Sequence, residues 1–87
     1  MELDPTEMTP VINRIKRAQG QLAGVVRLLE EGQDCEKIVT QLAAVSKALD
    51  KAGFAIVASG LQQCLASDQG VDGVDVQKME KLFLSLA

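Results

Sequence analysis

Apolar residues in the first third of the chain recur at Val11, Ile15, Ala18, Leu22, Val25 and Leu29. The steps alternate between four and three, which is the seam of a helix that packs on another helix. Thr9-Pro10 predicts its start, with threonine as N-cap and proline at the first helical position. Gly32 predicts its end. A second seam runs through Cys35, Ile38, Leu42, Val45, Leu49, Ala52 and Ile56, with Asp34 as its N-cap. A further stripe, Phe54, Val57, Leu61 and Cys64, widens this apolar face, so the second helix should touch more than one neighbour. It is expected to run to about Ser67, with a loop through Asp68-Gln69-Gly70 and Asp72-Gly73 beyond it. A third helix, capped by Asp75, offers Val76, Met79, Phe83 and Leu86 on one face. Three turns are marginal in isolation, so this helix must dock on the others.

The short turn at 31–34 makes helices one and two an antiparallel hairpin. One hairpin cannot bury two wide apolar faces, whereas two hairpins closing into a four-helix bundle can. The expected fold is therefore all-α. It is a single domain over 1–87, a three-helix subunit that dimerises through its hairpin and builds a dimer of dimers. Residues 1–8 are expected to be flexible. Composition agrees: the chain is 47% hydrophobic but only 2% aromatic, so its core must come from Leu, Val, Ile and Ala. Chains of this size bury a modest share of their surface, and oligomerisation is the common remedy.

No apolar run reaches the roughly 18 residues of a membrane span. The opening MELDPTEM has neither the basic nor the apolar region of a signal peptide. A cytoplasmic protein with no membrane partner is the expectation, and there thiols stay reduced. Two cysteines in that setting are reactive, ligating or simply buried rather than a structural disulfide.

The net charge of −3 argues against nucleic acid. Its distribution argues the other way. Residues 11–29 hold Arg14, Lys16, Arg17 and Arg27 and no acid, between acidic stretches on both sides. Such a segment is either a solvated helix face or a DNA footprint that an oligomer repeats.

Cys35 and Cys64 stand 29 residues apart. Along an unbroken helix that is about 43 Å, so they cannot meet within one chain. They can meet between two chains whose second helices lie antiparallel, giving two equivalent sites per dimer. Cys35 falls in a first helical turn, where unpaired N–H groups favour negative charge, although Asp34 and Glu36 oppose it. Both cysteines can equally be small buried hydrophobes. Two thiolates can hold Cu(I) linearly but cannot close a zinc site without carboxylates, and the chain has no histidine to add, so the sequence leans away from a dedicated metal site. No cofactor is expected.

The stretches INRIKRAQGQLAGVVRLLEEGQDC at 12–35 and VTQLAAVSKALDKAGFAIVASGLQQC at 39–64 resemble the copper-sensitive operon repressor family. The resemblance covers about residues 11–66. It implies helical subunits, dimers on an antiparallel core, tetramers, and repression of transcription without a helix-turn-helix. In the family's copper sensors a cysteine at the start of helix two meets a histidine and a cysteine of the partner subunit. The cysteines fall on Cys35 and Cys64, and the histidine's position is Gly60. The tyrosine that copper sensors often carry before the first cysteine is here Asp34. The family's persulfide-sensing sulfurtransferase repressors keep both cysteines without the histidine, and EEGQDC is similar to their turn.

By that resemblance the chain is expected to sense persulfides or polysulfides. Cys35 and Cys64 of the partner subunit would join through a di-, tri- or tetrasulfide and release operator DNA. The same resemblance sets aside the formaldehyde sensors, whose second residue is proline where this chain has Glu2. It implies Arg14 as a DNA contact, with Arg17, Gln21 and Lys16 beside it. Lys47 would be the basic residue of helix two, next to Ser46 where the family has a base. The first alternative is a repressor responding to Cu(I) or another metal through Cys35 and Cys64, with Glu80 as a carboxylate helper. The second is a helical interaction module with inert cysteines. No set of residues suggests an enzyme.

Overall fold

A computed structural model describes residues 2–66 and 75–87. Three α-helices follow one another: α1 (Thr9–Glu30), α2 (Cys35–Leu65) and α3 (Val76–Leu86). No strand occurs among the described residues, so the chain is all-α as expected. The loop through Asp68 to Gly73, and Ser67 before it, lie outside the described residues. No described helix is long and apolar enough to cross a membrane.

The start of α1 differs from the expectation. Met8, not Thr9, is the N-cap residue, and no side chain caps the helix there. Thr9 lies inside the first turn, and its hydroxyl donates to the Thr6 carbonyl at 3.2 Å. The turn over residues 5–8 therefore holds Thr9 in place, and Pro10 takes one of the first positions, where a missing N–H costs nothing. At the other end, Gly32 adopts a φ of 67°. Its N–H donates to Leu29 O at 3.2 Å, and the N–H of Gln33 donates to Leu28 O at 3.0 Å. This is a Schellman stop, and only a residue without Cβ takes that backbone cheaply. Asp34 then caps α2 by accepting from the Lys37 N–H at 3.3 Å, and Asp75 caps α3 by accepting from Lys78 N–H at 3.0 Å.

The heptad seams divide in two. Val11, Ala18 and Val25 of α1 are buried, as are Val45 and Ala52 of α2. The intervening leucines are not: Leu22, Leu29, Leu42 and Leu49 are each 44–61% exposed. One row of each seam thus holds the hairpin together, and the other row is left for a different partner. Met8 and Val11 cluster with Ala52 and Ile56, which sets the start of α1 beside the second half of α2 and makes the hairpin antiparallel. The third helix docks through Phe54 and Phe83, whose rings lie 5.0 Å apart. Leu86 lies against Gly53, where a Cβ would stand 2.8 Å from its Cδ2. Met79 is the buried residue of α3, while Val76, expected on the docking face, is 69% exposed.

The result is a plank of 54 × 26 × 13 Å with a radius of gyration of 16.7 Å. A compact chain of this length would have a radius near 12 Å. One layer of helices encloses only a thin core and leaves Leu22, Leu29, Leu42 and Leu49 exposed, which is the physical reason to expect a second copy.

Candidate functional site

Cys35 is the first residue of α2 and is exposed; Cys64 lies in its last turn and is half-buried. The helix between them is unbroken over 31 residues, so the two sulfurs sit at opposite ends of a rod, about 43 Å apart. The Gly32 stop and the Asp34 cap fix the position of Cys35, because they decide where α2 begins. Among the described residues, no group of three or more Cys, His, Asp or Glu is close enough to hold a metal ion within one chain. Glu80 is exposed on α3.

The segment expected to be flexible is instead held against the end of α2, where Leu3, Asp4 and Met8 meet Gly60 and Gln63, the latter next to Cys64 in sequence. The Asp4 N–H donates to Gln63 Oε1 at 2.7 Å. Gln63 Nε2 in turn donates to Ser59 Oγ at 2.9 Å and approaches Met8 Sδ at 3.5 Å. Leu3 rests on the buried Gly60, 3.4 Å from where its Cβ would be. Asp4 is held in its turn by Thr6, whose hydroxyl and backbone N–H both donate to Asp4 Oδ1, at 2.8 and 3.0 Å. Those bonds, the side-chain one first, pull the Asp4 carboxyl below its ordinary value.

The basic residues gather elsewhere. Arg14, Arg17, Ala18 and Gln21 of α1 line a half-open groove of about 360 Å³ together with Ala48 and Lys51 of α2. Lys16 and Lys47 are exposed outside that lining. The sequence reading missed Lys51. The signal was present, since Lys51 precedes Ala52 on the inner row just as Arg17 precedes Ala18. Using it requires knowing how α1 and α2 are registered.

A family profile described as metal-sensitive transcriptional repressor matches residues 7–85. The copper-sensing transcriptional repressor CsoR of Mycobacterium tuberculosis is 32% identical over 72 residues, covering 83% of this chain and 60% of that protein. CsoR of Mycobacterium ulcerans is 34% identical over 56 residues, 64% of this chain and 48% of that protein. An uncharacterised protein of Bacillus subtilis, YrkD, is 39% identical over 59 residues, 68% of this chain and 92% of that protein. The chain thus spans about half to three fifths of the length of these CsoR relatives. No solved structure matches it.

Proposed function

The chain belongs to the family of metal-sensitive transcriptional repressors, and from that premise we propose that it is an operator-binding repressor released from DNA by Cu(I) or another thiophilic metal ion. The ion would bridge Cys35 of one subunit and Cys64 of a second. The family is one of repressors and not of enzymes, so the activity is binding and release rather than turnover.

One observation carries the reading: the only two thiols in the sequence stand at the two ends of one unbroken helix. They are useless to each other within a chain. An antiparallel second copy of α2 makes them a pair twice over. Two thiolates fit a soft, low-coordinate ion such as Cu(I), and do not fit zinc, which wants four ligands. Glu80 would serve as a weak auxiliary ligand. The names of the relatives, copper-sensing repressors, favour a metal inducer over a sulfur one. The DNA contacts are Arg14, Lys16, Arg17, Gln21 and Lys47, acting mainly on phosphates.

A second reading has its own observation. The chain has no histidine, and Leu3 covers Gly60 one turn before Cys64. Sulfur chemistry needs no third ligand. One thiolate would take a sulfur from a polysulfide, releasing the shortened polysulfide. The partner thiolate would then displace hydrosulfide and close a disulfide between subunits.

The test starts from reduced protein bound to a duplex selected from a random-sequence library. Cu(I) buffered by a chromophoric chelator is expected to release the DNA at one ion per cysteine pair. Release by inorganic polysulfide alone, with an intersubunit crosslink in the intact mass, moves the function to the sulfur reading. No response to either agent makes the chain an interaction module with inert cysteines.

A further inference from the structure

We infer that Gln63 is a positioning residue. It fastens the segment before α1 to the last turn of α2, and through that fastening a change at Cys64 reaches the start of the helix that carries Arg14 and Arg17. The inference rests on the repressor reading above and supplies the connection between its thiol end and its basic end.

Both ends of the Gln63 carboxamide are engaged. Its Oε1 accepts from the Asp4 N–H at 2.7 Å, while its Nε2 donates to Ser59 Oγ at 2.9 Å and reaches Met8 Sδ at 3.5 Å. Ser59 stands one turn earlier on the same helix, so its bond fixes which end of the amide points at the segment. The side chain is half-buried, where a hydrogen bond is stronger than in open water. Leu3 on Gly60 is a second anchor for the same segment.

The segment passes this hold on to α1. The helix begins without a side-chain cap and has no acidic residue in its first turn, so no side chain there satisfies its first N–H groups. A run of turns leads into it instead. The Glu7 N–H donates to Asp4 O at 3.1 Å, the Met8 N–H to Pro5 O at 3.2 Å and the Ile12 N–H to Met8 O at 2.8 Å. Asp4 Oδ1 accepts from Thr6, and Thr9 Oγ1 donates to Thr6 O at 3.2 Å. Met8 is buried and packs with Val11 and Ala52. Asp4 to Ile12 is thus one hydrogen-bonded unit, and Arg14 follows directly after it.

Gln63 and Cys64 are consecutive in the last turn of α2, so a rotation or shift of that turn moves both. A ligand that draws the Cys64 sulfur toward Cys35 of a second subunit therefore pulls on the Asp4 bond. The docked segment is one state. The released segment, with the uncapped start of α1 frayed, is the other. Such coupling is reciprocal: a ligand that favours release binds more tightly once the segment is released.

Hydrogen exchange at the Asp4 and Ile12 amides of the full chain tests the first half, without metal or DNA. Gln63→Leu is expected to speed both about fivefold or more. Gln63→Glu keeps an acceptor for the Asp4 N–H and should restore both. Exchange at Ile12 that ignores Gln63→Leu overturns the inference, whatever the chain does with metal. The second half uses Cu(I) buffered by a chromophoric chelator and the duplex selected from a random library. Gln63→Leu should bind the duplex about fivefold more weakly and Cu(I) about fivefold more tightly. Leu3→Ala frees the same segment without altering a neighbour of Cys64, and should shift both in the same directions. Damage to the fold alone weakens both, and that result also overturns the inference. If the wild-type chain takes up no Cu(I), the metal reading fails, and alkylation of Cys64 by iodoacetamide in Cys35→Ser replaces the ion. Faster Asp4 exchange in the alkylated chain keeps the connection to Cys64; unchanged exchange removes it.

Discussion

Leu3 lays its Cδ2 methyl 3.4 Å from the point where a β-carbon on Gly60 would stand. Gly60 is buried in the interior of a helix, where glycine costs about 1 kcal/mol relative to alanine. The contact gives that glycine a local use: its bare face is the seat on which the segment 3–8 comes to rest beside Cys64. A single methyl there meets only the end of a flexible side chain. Gly60→Ala is therefore expected to raise stability by up to about 1 kcal/mol while leaving the segment docked. Gly60→Leu fills the seat and should displace Leu3. Hydrogen exchange at the Asp4 amide, which donates to Gln63, reads the difference. An amide as protected in Gly60→Leu as in the wild type would show that Leu3 does not hold the segment down.

Acid should loosen the same segment. The Asp4 carboxyl lies below its ordinary value because Thr6 donates to it through both hydroxyl and backbone. A group depressed in the folded state contributes its stability above its unfolded value and loses it as pH falls through its folded value. Docking should thus be insensitive to pH near neutrality and weaken only below the ordinary aspartate range. Asp4→Asn should remove that acid dependence. The measurement is the pH profile of Asp4 amide exchange in the two proteins, and a shared profile would assign the dependence to another group.

The helices were legible in the sequence because their punctuation is chemical. Asp34 and Asp75 cap where a short acceptor side chain was expected to cap, and Gly32 stops α1 in the left-handed region that glycine takes freely. Thr9 failed as a cap because the turn over residues 5–8, which pairs its hydroxyl with Thr6 O, leaves no periodic trace. Lys51 was missed for a related reason. Periodicity orders residues around one helix, but the groove depends on how two helices are registered, and the spacing of either one is silent about that. The docking of Leu3 and Asp4 on the end of α2 joins residues as many as 59 positions apart, whose types suggest nothing of it.

The split seam predicts how the chain associates. Val45 and Ala52 are spent inside the hairpin, while Leu42 and Leu49 on the same helix are 47% and 44% exposed. Leu42→Glu combined with Leu49→Glu should keep the helix content and abolish self-association, because the altered side chains face away from α1. Val45→Ala should do the reverse, costing about 1–3 kcal/mol of hairpin stability through lost packing while the outer row stays intact. Sedimentation equilibrium with circular dichroism separates the two effects. A double variant that still associates would move the interface to another face.

The placement of Cys35 and Cys64 at the two ends of α2 makes a stronger demand than the loss of function in either single variant. Cys35→Ser and Cys64→Ser should each retain DNA binding and each fail to respond to Cu(I) or polysulfide. Mixed in equal amounts and allowed to exchange subunits, they should respond again. In a mixed dimer the subunit keeping Cys35 faces the one keeping Cys64, so one of the two symmetric sites is whole. Random exchange makes half of the dimers mixed, and inducer capacity should recover to about a quarter of the wild-type value. Covalent capture then shows which chains are joined: a tagged Cys35→Ser subunit should crosslink only to an untagged Cys64→Ser subunit. Recovery to that level can come only from a site shared between subunits. A mixture as silent as its two components, in a preparation where exchange is verified by mass, would mean that the thiols act separately and that the shared site is wrong.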